Sequence, residues 1–268
     1  LECDGLGKFS RKMVVKRKAI GRRAMLVKKS VKLSKKAAPS PALRRLNSVV
    51  INLKSRPDRW EGLKKSVERN ASWLNVQRMD AVNGRVKPPA DKDVTKRYST
   101  KRMAEILHWY KAKSVKMSPG ERGCCASHLK AWRKCASSGK PLLVLEDDAV
   151  ILPTFTATLN KALKEAPKGT GALWITSKDR GNRKRVGEVL MEPFYVWTTV
   201  GYVIWPHAAK ALIKLLPMDM PVDNFMAYHI HEGAVKAFSV QPAAVRQANT
   251  WNIGSDVPHS DDVALWNA

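Results

Sequence analysis

In Pro141-Leu-Leu-Val-Leu-Glu-Asp-Asp-Ala149 an unbroken apolar run stops abruptly at three carboxylates, Glu146, Asp147 and Asp148. The run is too short for a helix, and its β-branched residue and flanking Pro141 fit a fully buried strand of a parallel sheet. In open α/β sheets ligands bind beyond the carboxyl ends of the strands. Acids at such an end stand where a metal and an anionic ligand would meet. Side chains alternate along a strand, which puts Glu146 and Asp148 on one face and turns Asp147 away. An acid-x-Asp pair of this kind can hold one hard divalent cation with positions left open for diphosphate oxygens. The alternative is that the acids solubilise a strand end or cap the next helix.

Outward from this stretch, strands alternate with helices. Residues 48–53 read as a strand, 60–73 as a helix, and 76–82 as a second strand closed by Asn83-Gly84. Residues 85–97 are polar and contain prolines, hence loop, and 101–111 are expected to be helical. Ser118-Pro119-Gly120-Glu121 is a helix start, with Ser as N-cap, Pro at the first position and Glu at N3. That helix is expected to reach about Ser137. A helix near 154–166, a strand over 171–177 and a charged loop over 179–185 follow. Then come a strand over 195–204, a helix from Trp205-Pro206 to Leu216, a short helix after Pro221-Val-Asp223, and a last strand over 234–241. The class is therefore α/β with a largely parallel central sheet, and 268 residues suffice for one large core.

The chain carries 49 Lys+Arg against 23 Asp+Glu, a net charge of +26. Residues 1–45 hold 15 bases and two acids, and the rest 34 and 21, so each part carries +13. The first 45 residues read as a basic, flexible tail, and segment 13–33 can form an amphipathic helix on an anionic membrane or another polyanion. Charge of this size suits nucleic acid, acidic headgroups or acidic glycans alike. Yet no reader motif is present and the tail has no aromatic beyond Phe9, so no specific nucleic-acid partner is expected. The longest mostly apolar window, Phe194 to Trp205, is too short to span a bilayer. The start, Leu1-Glu-Cys-Asp4, shows no apolar core of a signal peptide and fits a fragment or a processed piece. A cytoplasmic or peripheral-membrane location is the expectation. Cys124 and Cys135 lie about 16 Å apart along the expected helix, at ~1.5 Å per residue, beyond disulfide reach. No CxxC or Cys/His ladder marks a structural zinc site.

Several pieces stand in order: Val49-Val-Ile-Asn-Leu-Lys-Ser-Arg-Pro-Asp-Arg59, Asp80-Ala-Val-Asn-Gly84, Gly120-Glu-Arg-Gly-Cys-Cys-Ala-Ser-His-Leu129 and Leu143-Val-Leu-Glu-Asp-Asp-Ala149. Gly201-Tyr-Val-Ile204, Pro221-Val-Asp223 and Gly254-Ser-Asp-Val257 complete the set. Together, over residues 46–257, they resemble glycosyltransferase family 25. That family includes bacterial lipooligosaccharide galactosyltransferases and collagen hydroxylysine galactosyltransferases. The resemblance implies a GT-A-like, nucleotide-sugar-binding α/β sandwich in 46–268. It also implies transfer of a hexose from a UDP-sugar, with galactose the expected sugar, to a hydroxyl with inversion.

Under that resemblance Glu146 and Asp148 hold Mn2+ or Mg2+ as the Lewis acid for the leaving diphosphate. Glu reaches further than Asp, so Asp148 is the firmer ligand. The nucleotide lies beside Asn52, Arg56 and Arg59, whose guanidinium forks suit phosphate or uracil; the alternative is a solvated helix start. Glu121 is expected only to close the capping box, and His128 is either a buried, hydrogen-bonded histidine or a contact of the donor site. Inversion needs a base for the acceptor proton. Asp223 is the first candidate, against a plain N-cap role. Asp256 is the second, or a further metal or acceptor contact. His229 and His231 alternate as a strand pair would and read as structural, and His259 can approach the metal if the chain folds back. The acceptor is a glycan, a glycolipid such as lipooligosaccharide, or a protein. The lysines and arginines of loops 85–118 and 178–193 point to an anionic one. Two other readings compete: a basic polyanion-binding protein, and a catalytically silent sugar-binding homologue, against which intact Glu146, Asp148 and Asp223 argue.

Overall fold

Burial on both faces explains why residues 142–145 carry no polar side chain. The computed structural model describes residues 33–35, 37–107, 111, 113–176 and 184–248. The elements in chain order are α1 (Pro41–Arg44), β1 (Asn47–Asn52), α2 (Pro57–Ala71), β2 (Gln77–Asp80), β3 (Arg97–Ser99), α3 (Lys101–Ile106) and β4 (Ser114–Lys116). Next are α4 (Pro119–Ser138), β5 (Leu142–Glu146), β6 (Ala149–Ile151), α5 (Phe155–Glu165), β7 (Ala172–Trp174), β8 (Lys184–Arg185) and β9 (Leu190–Glu192). Then follow β10 (Gly201–Ile204), α6 (Pro206–Lys214), α7 (Val222–His231), β11 (Ala237–Val240) and β12 (Val245–Gln247).

Eight strands form one sheet in the order β2-β1-β5-β10-β7-β11-β9-β8. The pairs β2–β1, β1–β5 and β7–β11 are parallel, whereas β10 runs against both β5 and β7, and β9 against both β11 and β8. Six of the eight strands therefore share one direction, with β10 and β9 reversed, and the expected α/β class stands on a central sheet that mixes parallel and antiparallel pairs. Leu142 and Val144 of β5 face one apolar core with α4, α6 and α7, while Leu143 and Leu145 face another with α2 and α5. A strand covered on both sides must be apolar at every position.

The start of α4 is built as its sequence dictates. Ser118 Oγ accepts from Glu121 N (3.2 Å), and Glu121 Oε2 accepts from Ser118 N (2.7 Å). The helix ends at Gly139, in the left-handed region at φ +66°. The Asn83-Gly84 turn lies directly against this helix. A Cβ on Gly84 would stand 1.9 Å from Pro119 O, and one on Gly123 2.5 Å from Val82 O.

Some expectations change. The segment read as one strand over 195–204 pairs only from Gly201. Ahead of it Trp174 Nε1 donates to Thr198 O (2.8 Å) and Glu146 N to Val200 O (3.0 Å), bending the chain over the end of β5. The helix expected over 101–111 stops at Ile106, because Thr100 takes the returning chain: its N donates to Lys113 O (2.9 Å) and its hydroxyl to Lys111 O (2.6 Å). Residues 114–116 then pair with β3. His229 and His231 lie in the last turn of α7, not on a strand. Leu43 of α1 is fully buried, and Ser40 N donates to Asn160 Oδ1 on α5 (2.8 Å). Asp256, His259, the motif at 254–257, residues 13–32 and residues 178–183 lie outside the described residues. Among the described residues, no helix is long and apolar enough to cross a membrane.

Candidate active site

Beyond the end of β5 the three carboxylates part company, each held by a different set of neighbours. Glu146 Oε1 accepts from Thr199 Oγ1 (2.6 Å) and faces His128 Nε2 (3.2 Å). Burial raises its pKa, while His128 first, then Thr199 and Arg59, lower it, and the net shift is downward. The neighbouring Asp147 accepts at Oδ2 from Asn52 Nδ2 (2.8 Å) and at Oδ1 from Arg59 Nη1 (3.1 Å). Burial raises its pKa, and Asn52 and Arg59 offset that only in part.

Asp148 is 7% exposed and accepts at Oδ2 from Gln247 Nε2 (2.9 Å). Its other oxygen, Oδ1, is buried and has no hydrogen-bond partner among the described residues. Burial, and then the charge of Glu146, push its carboxyl up to about 7. A buried carboxylate oxygen without a donor is costly to leave as it is. A cation bound at Oδ1 would offset both causes of the shift. The donor set also fits Mn2+ or Mg2+, which favour carboxylate oxygens.

β5 ends at Glu146 and residues 147–148 form a turn, so strict alternation does not continue past the strand. Asp147, expected to point away from the other two acids, ties this turn to the end of β1 and to α2. Asn52 is the hub of that tie. It is buried, donates to Arg56 O (2.9 Å) as well as to Asp147, and accepts at Oδ1 from Arg78 Nε (2.7 Å). Arg56 forms a two-point pair with Asp58 (3.0 and 2.8 Å) at the start of α2. The fold thus brings Asn52 and Arg59 to Asp147, and Arg56 to Asn52 through its backbone oxygen, across adjacent parallel strands in which Ile51 is in register with Glu146.

Asp223 sits in the first turn of α7, and Pro221, which has no side-chain acceptor, occupies the N-cap position. Its carboxylate accepts from Asn224 N (2.8 Å). Burial first, and then the nearby acids with Glu146 foremost, push the thiol of Cys124 well up. His128 is wholly buried beneath Glu146, hydrogen-bonded at its other nitrogen to Tyr202 Oη (2.9 Å). Ligand atoms of Cys124, His128 and Glu146 lie within 4.8 Å of one another. Cys124, Cys125 and Cys135 are free thiols.

Sequence reasoning missed Thr199, Arg78 and Gln247. Gln247 reaches Asp148 only because β12 pairs with β6 in a short antiparallel ladder, Gln247 opposite Ala149. Nothing local in either segment announces that pairing.

The family description "Glycosyltransferase family 25 (LPS biosynthesis protein)" matches residues 46–226, more than half of the chain. A "Glycosyltransferase 25 family member" from Aedes aegypti is 28% identical over 186 residues, covering 66% of this chain and 30% of that protein. A protein of the same name from Drosophila pseudoobscura pseudoobscura is 26% identical over 195 residues, 66% of this chain and 29% of the relative. "Procollagen galactosyltransferase 1" from Danio rerio is 24% identical over 175 residues, 56% of this chain and 29% of the relative. The matched stretch spans less than a third of each of these relatives.

Proposed function

The chain belongs to glycosyltransferase family 25, and from that premise we propose that it moves a hexose from a UDP-sugar to an acceptor hydroxyl, with a divalent cation at Glu146 and Asp148. The observation that carries the cation is the buried, unpartnered Oδ1 of Asp148 beside the charge of Glu146. Mn2+ or Mg2+ bound there supplies Lewis acidity that offsets the charge gathering on the departing diphosphate.

The chain's own residues do the remaining work. Asn52 and Asp147 hold the loop after β1 against the acid turn, which supports a role for Arg56 and Arg59 in binding the nucleotide diphosphate. Asp223, which is not the N-cap of α7, takes the proton of the acceptor hydroxyl as its oxygen bonds to the anomeric carbon and the bond from that carbon to UDP breaks. Asp256 is the second candidate for this role. Galactose as the donated sugar is supported by the name of the zebrafish relative. A glycan, glycolipid or protein supplies the hydroxyl. The basic residues of 1–45 suit contact with an anionic surface, consistent with a cytoplasmic or membrane-peripheral setting.

A panel of nucleotide sugars with and without Mn2+, read by released nucleoside diphosphate, tests this reading. UDP-galactose with Mn2+ should release UDP fastest. Equal release after complete chelation would contradict the metal role.

A further inference from the structure

Cys124, His128 and Glu146 have the spacing of a metal site, but the hydrogen bonds behind His128 give the imidazole a different task. We infer that Trp132, Tyr202 and His128 form a one-way hydrogen-bond relay that keeps the His128 proton on Nε2 and makes His128 a positioning residue for Glu146 rather than a metal ligand.

The direction follows from donor chemistry. Trp132 Nε1 can only donate, and it lies 3.0 Å from Tyr202 Oη. Tyr202 has a single hydroxyl proton and, among the described residues, one other hydrogen-bond partner, His128 Nδ1 at 2.9 Å. That proton therefore goes to Nδ1, which must be bare to receive it. The neutral imidazole then carries its hydrogen on Nε2, 3.2 Å from Glu146 Oε1. The reverse tautomer and the imidazolium both carry a hydrogen on Nδ1, and either would leave the Tyr202 proton buried with nothing to accept it, at the cost of an unmade hydrogen bond.

Packing holds the relay rigid. Trp132, His128 and Tyr202 are each fully buried. Trp132 and His128 are four residues apart on α4, hence on one face, and both meet Tyr202 projecting from β10. The Tyr202 ring stacks on Trp174 (centroids 5.4 Å apart, planes at 18°) and on His128 (5.7 Å, 25°).

The consequence lies in which oxygen is used. His128 and Thr199 both address Oε1 of Glu146, and no described residue donates to Oε2. Glu146 is thus held by one oxygen from behind and presents the other. The same Nε2–H withholds the imidazole lone pair that the three-residue cluster would need, so a cation is steered away from Cys124. The presentation of Oε2 rests on the reading of Glu146 as a cation ligand; the tautomer does not.

Nitrogen-15 NMR of the full chain, with the His128 signals assigned by their loss in His128→Gln, reads the tautomer directly. The expected result is a protonated Nε2 and a bare Nδ1 in the metal-free protein and with Mg2+ added. A protonated Nδ1 in either state would overturn the relay. Mn2+ affinity then tests positioning. Loss of an outer-shell partner typically weakens a metal site about 10–100-fold, and folded Tyr202→Phe and His128→Leu should both fall in that range. His128→Gln, which keeps an N–H at the reach of Nε2, should stay within about tenfold of wild type. Equal losses in His128→Gln and His128→Leu, or no loss in Tyr202→Phe, would overturn the positioning role. A wild-type protein with the expected tautomer but no Mn2+ affinity would uphold the relay and contradict the metal reading instead.

Discussion

Arg59 Nη1 lies 3.1 Å from Asp147 Oδ1, and the two side chains are only 10% and 11% exposed. The pair joins the first turns of α2 to the turn that follows β5. With Asn52 on the other oxygen of Asp147, it fixes the segment carrying Arg56 and Arg59 against the acids. The middle acid of the triplet thereby serves the site without facing it.

Removing one partner of a mostly buried pair leaves the other charged and undersolvated, which typically costs about 3–5 kcal/mol. Asp147→Ala should therefore lose about 3 kcal/mol in chemical denaturation. A loss of a few tenths of a kcal/mol, the size of an exposed pair, would show that Arg59 does not depend on Asp147.

Gly84 allows the turn after β2 to touch the start of α4. A Cβ there would meet backbone, Pro119 O at 1.9 Å, rather than a side chain that can swing away. Gly84→Ala should destabilise by about 3 kcal/mol, the upper part of the usual range for overpacking. Gly62, where an added Cβ would meet nothing within 4 Å, is the control: Gly62→Ala in the exposed face of α2 should stabilise by about 0.5–1 kcal/mol through helix propensity. Denaturation midpoints of the two variants should move in opposite directions.

Asp148 sets a pH signature. Its carboxyl is raised from an ordinary 3.8 to about 7 in the fold. A raised value means that its contribution to stability is fully present below the unfolded value and is lost as pH rises through the folded one. In metal-free protein, Asp148→Asn should therefore gain stability relative to wild type between about pH 5 and about pH 7.5. Added Mn2+ should reverse the order at the higher pH, because only wild type then keeps both carboxylates to bind it. A melting-temperature difference that ignores both pH and metal would contradict the burial of this group.

Asp223→Asn keeps the shape of the side chain and removes its basicity. If Asp223 takes the acceptor proton, kcat should fall by about 10²–10⁴-fold with donor KM little changed. A rise in donor KM at unchanged kcat would move Asp223 from base to binding.

What the sequence makes legible follows from where the physics is local. The apolar run of β5 announces a strand buried on both faces, and Ser118, Pro119 and Glu121 announce the start of α4, since the signal and the structure share the same few residues. The acids are visible in the sequence, but their partners are not. Alternation turns Asp147 away from its neighbours but does not name Asn52 and Arg59, 95 and 88 residues distant in sequence, as what it turns towards. Gln247, 99 residues from Asp148 in sequence, arrives through a three-residue ladder too short to leave a periodic pattern. Tyr195 to Val200 has the composition of a strand but is bent by bonds from Trp174 and Glu146, both distant in sequence.

The central claim is that Asp148, with Glu146, holds the cation of a sugar transferase. Mn2+ titration followed by electron paramagnetic resonance, in the presence of UDP, tests it in wild type and in Asp148→Asn, each first shown to be folded by circular dichroism. The account predicts saturable Mn2+ binding in wild type and a loss of at least about 100-fold in affinity in the variant, the upper bound for an outer-shell change being the lower bound for a ligand. Mn2+ affinity equal in the two proteins would contradict it.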